Sequence, residues 1–187
     1  MAMSMIKGLE YQAELISVDE ERRALEHIEA LDYDEIHMHG QVAKRTVRQF
    51  GLKYEFGTWK LEETEPLPGE LHPARAAAAE LAQVAPEEFA QILVSRYPEG
   101  AGIGWHRDAP AFGSVVGISL LSPCRMRFQR GKGEARETFA LDLGPRSGYL
   151  LSGSVRWAWQ HSIPATRSLR YSLTFRTLSP SALRDFR

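Results

Sequence analysis

The chain has 187 residues, of which 43% are hydrophobic and 25% charged, with a formal net charge of −1. This is the size and composition of a single globular domain spanning residues 1–187, and no apolar run approaches the roughly 18 residues of a membrane span. The stretch Met1-Ala2-Met3-Ser4-Met5 lacks the basic and then apolar pattern of a secretion signal. Cys124, the only cysteine, excludes an intramolecular disulfide, so a reducing, cytoplasmic setting and a small structural thiol are expected.

Taken in chain order, Tyr11 to Ile16 reads as a strand. A helix then starts at a capping box formed by Ser17 and Glu20. Leu25, Ile28 and Leu31 follow at helical spacing, and the helix ends near Asp32. Val42 to Phe56 is rich in Val, Phe and Tyr and reads as one or two strands. Phe50, Tyr54, Phe56 and Trp59 lie there beside Lys44, Arg45, Arg48 and Lys53. In a substrate lid such aromatic faces would stack on bases and the cations would meet phosphates; the plainer reading is packing and a solvated face. Thr58 to Leu71 reads as a loop. Pro73 then opens a helix over Ala74 to Ala85, which Pro86 stops.

Beyond this point the pattern becomes β. Strands are expected at Gln91–Tyr97, Ser114–Leu121, Arg125–Gln129, Thr138–Leu143, Gly148–Leu151, Val155–His161 and Leu169–Thr177, with no helix between them. Two front helices followed by this run predict an α+β, mainly β fold: a double-stranded β-helix, or jelly roll, over residues 91–187. Residues 1–90 would form a helical layer and a lid.

Three segments carry the chemistry. His106 and Asp108 follow a glycine turn (Gly100, Gly102, Gly104), and in extended backbone residues two apart point to one side. One more histidine would complete the two-histidine, one-carboxylate face that holds non-heme iron(II). His161 can supply it, ending a segment whose Trp157 and Trp159 would share its strand face. His37-Met-His39 repeats the spacing with neither an acid nor a glycine turn beside it. Finally, Arg170-Tyr-Ser-Leu-Thr-Phe-Arg176 read with period two has one face of Arg, Ser, Thr and Arg, and another of Tyr, Leu and Phe. The apolar face is expected against a second sheet. Buried arginines need partners, so a cavity on the polar face implies an anionic ligand, bracketed from its two ends if it is a dicarboxylate. A solvent-exposed sheet face is the alternative.

In order and spacing these segments resemble the AlkB-type iron(II)- and 2-oxoglutarate-dependent dioxygenases. The H-x-D pair, the distant His161 and the R-x5-R strand carry the resemblance. It extends to Arg96-Tyr97-Pro98-Glu99-Gly100 before His106, and Arg170–Arg176 is close to the family's final R-Y-N-L-T-F-R signature. The match covers roughly residues 90–177, while Gln49-Phe50-Gly51-Leu52-Lys53-Tyr54 is similar to the family's substrate lid. The resemblance implies iron(II), 2-oxoglutarate and O2, with His106, Asp108 and His161 as metal ligands. Arg170, Arg176 and Tyr97 would hold the co-substrate. Ser172 and Ser95 stand where members often have asparagine, a shorter hydrogen-bonding group in each case. The implied reaction is oxidative dealkylation of a base in alkylated DNA or RNA, by a monomer that binds no membrane. Tyr54, Phe56, Trp59 and Trp105 are candidates to line the base pocket, and Arg125 and Arg127 to reach the substrate or its phosphates. Pro110 stands where some DNA-repairing members carry a second acid. Two alternatives stay open: the same chemistry on a protein or small molecule, and a non-catalytic metal-binding jelly-roll module.

Overall fold

The structure, a computed structural model, describes residues 6–38, 40–54 and 60–185. The expected His39, Phe56 and Trp59 sites lie outside the described residues. In chain order the elements are β1 (Leu9–Gln12), α1 (Val18–Ile28), β2 (Asp34–Met38), β3 (Gln41–Tyr54), β4 (Leu61–Glu63), α2 (His72–Ala82), β5 (Phe89–Tyr97) and β6 (Ile103–His106). They continue with β7 (Phe112–Leu120), β8 (Cys124–Arg130), β9 (Glu137–Leu143), β10 (Gly148–Leu151), α3 (Gly153–Ala158), β11 (Gln160–Ile163), β12 (Arg170–Leu178) and α4 (Pro180–Asp185).

The larger antiparallel sheet runs β1-β10-β7-β12-β5-β3-β2, with β4 on β3; the smaller runs β6-β11-β8-β9. The first 90 residues are therefore more than a helical layer, since β3 pairs with β5 and β1 with β10. Two apolar clusters account for the layering. One joins Phe50, Ile92, Val94, Ile118, Leu173 and Phe175 of the large sheet to Ala24, Ile28, Ala74 and Ala78 of the two front helices. The other fills the space between the sheets with Val115, Met126, Phe128, Leu143, Tyr149 and Trp159. Truncating a fully buried member such as Phe175 to alanine costs about 3–5 kcal/mol.

Helix α1 begins where expected. The Ser17 hydroxyl accepts from the Glu20 amide at 3.2 Å, and the Glu20 carboxylate accepts from the Ser17 amide at 2.7 Å. Four expectations are corrected. The first strand is Leu9–Gln12, before the expected Tyr11–Ile16. The Thr58–Leu71 loop contains β4, which pairs Leu61 with Tyr54. The apolar face of β12 (Tyr171, Leu173, Phe175) packs against the helix layer, so its polar face looks toward the smaller sheet.

The fourth correction concerns Val155–His161, which is the helix α3 followed by the short β11. Trp157 therefore points outward, half-exposed, while Trp159 is buried, and neither shares a strand face with His161. Six residues are too few to carry a periodicity that separates a turn and a half of helix from a strand. Among the described residues, no helix is long and apolar enough to cross a membrane.

Candidate active site

Between the sheets lies a cavity of about 460 Å³, within the usual range for small-molecule sites. Its walls include Arg170, Ser172, Thr174 and Arg176 of β12, Ser95 and Tyr97 of β5, Arg45, Gln49, Lys53 and Tyr54 of β3, and Tyr149 of β10. His106, Asp108 and His161 stand together in it.

The three come from two strands and the loop between β6 and β7. β6 pairs with β11 so that His106 lies opposite His161. Gly102 permits this approach: a Cβ there would meet the Ile163 carbonyl oxygen at 2.6 Å. Asp108 follows two residues after His106. Its Oδ1 lies 3.7 Å from His106 Nε2 and 3.3 Å from His161 Nε2, and ligand atoms of all three fall within 4.8 Å of one another. Two imidazoles and a carboxylate at this spacing are the donor set of a non-heme iron(II) face.

Hydrogen bonds settle how the donors are presented. His106 Nδ1 lies 2.9 Å from the Gly104 carbonyl, which can only accept, so Nδ1 carries the proton and Nε2 offers its lone pair. Burial, and then His161, push His106 down to about 4, against the opposing pull of Asp108. The imidazole is therefore neutral at neutral pH. Burial alone would raise the Asp108 carboxyl. Arg176, followed by His161 and His106, outweighs it and holds the group well below its ordinary value, so the carboxylate is ionised.

Arg176 donates from Nε to Asp108 Oδ2 at 2.7 Å and from Nη1 to Gln91 Oε1 at 2.7 Å. Arg170 is 1% exposed and differs. Its Nε donates to the Ser119 hydroxyl at 3.0 Å and its guanidinium lies 5.0 Å from the Tyr97 ring centroid, but its buried Nη1 has no partner. An unpaired buried guanidinium nitrogen is costly, and a carboxylate in the cavity would satisfy it. Both arginines thus line one cavity, and the site fits an anionic co-substrate beside a metal. Cys124 lies in the same neighbourhood; burial raises its thiol while Arg170 pulls the other way, which leaves it protonated and inert at neutral pH.

Tyr54, Ser95, Tyr97 and Ser172 line the cavity, Tyr54 edge-on to Phe112 at 5.9 Å and Ser95 accepting from Arg45 Nη1 at 3.2 Å. Trp105, Arg125 and Arg127 lie outside its lining. Trp105 is 38% exposed with the Arg127 guanidinium 5.1 Å from its ring centroid, while Arg127 also donates to Ser162. Arg125 pairs with Asp142 at 3.1 Å and Arg130 with Glu137 at 2.7 Å, so acids across the β8–β9 pairing meet two of the four basic residues Arg125, Arg127, Arg130 and Lys132. His37 is exposed, with Nε2 3.4 Å from a Glu35 oxygen; it borders the same cavity but is not part of the triad's ligand cluster.

Three participants had no sequence signal. Buried Arg156 donates to the Gly113, Ala109 and Phe112 carbonyls at 2.9, 2.8 and 2.7 Å, pinning the loop that carries Asp108. Tyr149 crosses β7 over Gly117, where any Cβ would collide with its ring. Gln91 meets Arg176 from β5. Their contacts join residues more than 30 positions apart and leave no local pattern, although an arginine within an otherwise apolar stretch was the one visible oddity.

The model of the 2OG-Fe(II) oxygenase superfamily matches residues 13–176, and the chain belongs to that family. It is an iron(II)- and 2-oxoglutarate-dependent dioxygenase of AlkB type, using Fe(II), 2-oxoglutarate and O2. It is 32% identical to the alkylated DNA repair protein ALKBH8 homolog of Arabidopsis thaliana, over 85% of this chain and 51% of that protein. It is 27% identical to the mouse (Mus musculus) tRNA (carboxymethyluridine(34)-5-O)-methyltransferase ALKBH8, over 83% of this chain and 24% of that protein. The chain thus spans about half of the first relative's length and about a quarter of the second's. Among solved structures, OsALKBH1 matches with a TM-score of 0.68 at 15% identity, covering 94% of this chain and 99% of that one. A Pseudomonas putida prolyl-4-hydroxylase matches with a TM-score of 0.62 at 13% identity, covering 92% and 93%. These two likenesses are of fold, a mainly antiparallel β arrangement consistent with a jelly roll.

Proposed function

We propose that this dioxygenase oxidises an alkyl group on a nucleobase in DNA or RNA, releasing it as an aldehyde when the carbon is bound to a ring nitrogen. The observation that carries the reading is the unpartnered Nη1 of buried Arg170 in the cavity that holds His106, Asp108 and His161. A structural metal needs no carboxylate-binding cation beside it, which argues against a non-catalytic module.

In this reading His106, Asp108 and His161 hold the iron, and the metal with 2-oxoglutarate and O2 supplies the oxidising power. Arg170 takes the far carboxylate of 2-oxoglutarate, with the Tyr97 and Ser172 hydroxyls beside it. Arg176 keeps Asp108 ionised and oriented and stands at the near end. Ser95, engaged by Arg45, belongs to the wall more than to the co-substrate. Met126, Phe112 and Ile163 keep water away from the reacting carbon. Tyr54 and the β3 end of the cavity form the substrate side. Arg45 and Lys53 line the cavity and Lys44 lies beside it in sequence, so phosphates would be drawn to this side. A base in a duplex would have to flip out to enter.

The relatives support nucleic acid without fixing its kind: one is named for repair of alkylated DNA, the other for a tRNA uridine. Methyl transfer, for which the mouse protein is named, is not chemistry of a His-Asp-His oxygenase face. The product separates two cases, since a hydroxylated carbon on a ring nitrogen breaks down whereas one on a ring carbon persists as an alcohol. Purified protein with iron(II), ascorbate and 2-oxoglutarate is expected to release succinate. Product mass on methylated single-stranded DNA, duplex DNA and tRNA side by side then assigns the substrate. Succinate formation stimulated by none of the three would overturn the nucleic-acid reading.

A further inference from the structure

Arg176 is one end of a hydrogen-bond chain that runs away from the metal site. Its Nη1 donates to Gln91 Oε1 at 2.7 Å. Gln91 Nε2 donates to Gln49 Oε1 at 2.8 Å, and the same oxygen accepts the Tyr54 backbone N–H at 3.0 Å. Gln91 is 1% exposed and cannot exchange these partners for bulk water. The chain has a fixed polarity. A guanidinium only donates, so Gln91 must turn its carbonyl toward Arg176. Its amide nitrogen is then left to donate, which turns the Gln49 carbonyl inward. Both carbonyl lone pairs of Gln49 are thereby used, and its NH2 is left for the cavity that Gln49 lines.

We propose that Gln91 and Gln49 are positioning residues that tie Arg176, and through it the Asp108 carboxylate, to the end of β3 on the substrate side of the cavity. The proposal rests on the reading above in which Arg176 serves the co-substrate. Breaking the chain at Gln49 alters 2-oxoglutarate binding although Gln49 contacts neither Arg176 nor the triad. It acts through Gln91: without the Gln49 acceptor the Gln91 amide loses its orientation, and Arg176 loses a fixed acceptor. The guanidinium is then held by Asp108 alone and is free to rotate off the co-substrate. Conversely, a substrate acceptor that engages the Gln49 NH2 locks the same chain from its other end.

The test compares Gln91→Leu, Gln49→Met and the double variant with wild type. It measures KM and kcat by succinate release, and 2-oxoglutarate affinity by calorimetry on protein loaded with redox-inert zinc. Each single variant is expected to raise KM and Kd for 2-oxoglutarate, Gln91→Leu by about tenfold and Gln49→Met by about threefold or more, with kcat changed less. The double variant should be no worse than Gln91→Leu, because the second cut falls on a chain already broken. Gln91→Glu inverts the polarity: its carboxylate holds Arg176 but cannot donate to Gln49, and it should resemble Gln49→Met or exceed it. Unchanged affinity in Gln49→Met, or effects that multiply in the double variant, would overturn the coupling. Gln49 is only half-buried, so its variants carry the test even where Gln91→Leu fails to fold. Wild-type protein that binds no 2-oxoglutarate would instead sink the co-substrate reading of Arg176 itself, and the relay with it.

Discussion

The two ends of the polar face of β12 carry the same residue in opposite states. Arg176 is engaged by Asp108 and Gln91, whereas Arg170, six residues away and more deeply buried, leaves Nη1 without a partner. A satisfied buried charge holds neighbouring groups in place. An unsatisfied one costs stability until a ligand arrives, and the ligand then recovers that cost as affinity. In the proposed reading, Arg176 positions Asp108 at one end of the strand while Arg170 awaits a ligand at the other.

The sharpest way to break this comparison is at the carboxylate they flank. Asp108→Ala should remove iron binding and abolish succinate release. It should also destabilise the fold by about 3–5 kcal/mol, because Arg176 keeps Gln91 but loses its counter-charge. Denaturant unfolding with and without metal would show both, and retained iron affinity would remove Asp108 from the ligand set. Next come the arginines themselves. Arg170→Met should raise the 2-oxoglutarate KM by about a hundredfold while changing stability by less than about 1 kcal/mol, because it deletes an unpaired charge.

Arg176→Met should also raise KM, but with a stability loss of about 3–5 kcal/mol from the unpaired Asp108. Equal stability losses in the two variants would erase the distinction drawn here. Arg156→Met comes next, freeing three carbonyls of the Asp108 loop at a cost of about 3 kcal/mol in stability and a weaker hold on iron, read by metal titration. At the small end, Arg146→Ala removes pairs with exposed Glu14 and buried Glu21, neither of which lines the cavity, and should leave the 2-oxoglutarate KM unchanged.

The cavity side of β12 was legible in the sequence because strand alternation is strict: four polar residues at period two cannot be scattered over both faces. The capping box of α1 was legible for a similar reason, since its bonds join neighbours. What sets the site's rigidity was not. Gln91 and Gln49 are 42 positions apart, and Arg156 reaches back 47 positions to Ala109. Such bonds follow from sheet register, and register is decided by the packing of all strands together. The misreading of Val155–His161 has a more local cause: Val, Trp and Ala suit a short helix as well as a strand, and no side-chain cap marks where α3 starts, since the Ser152 hydroxyl donates to the Gly8 carbonyl. The sidedness of β12 was misjudged because its apolar residues suit the helix layer as well as a second sheet.

The ion pairs across β8 and β9 also set a limit on how the molecule can meet a polyanion. With Arg125 and Arg130 engaged by Asp142 and Glu137, the basic residues on the substrate side of the cavity are few: Arg45 and Lys53 of β3, and Arg107 beside the triad. Binding of a nucleic acid would then displace only about two or three condensed counterions, giving a shallow dependence of log affinity on log salt with a slope near −2 to −3. Recognition would have to come from what the cavity makes of one base, and such an enzyme would keep its selectivity at salt concentrations that strip a groove-tracking protein from its strand.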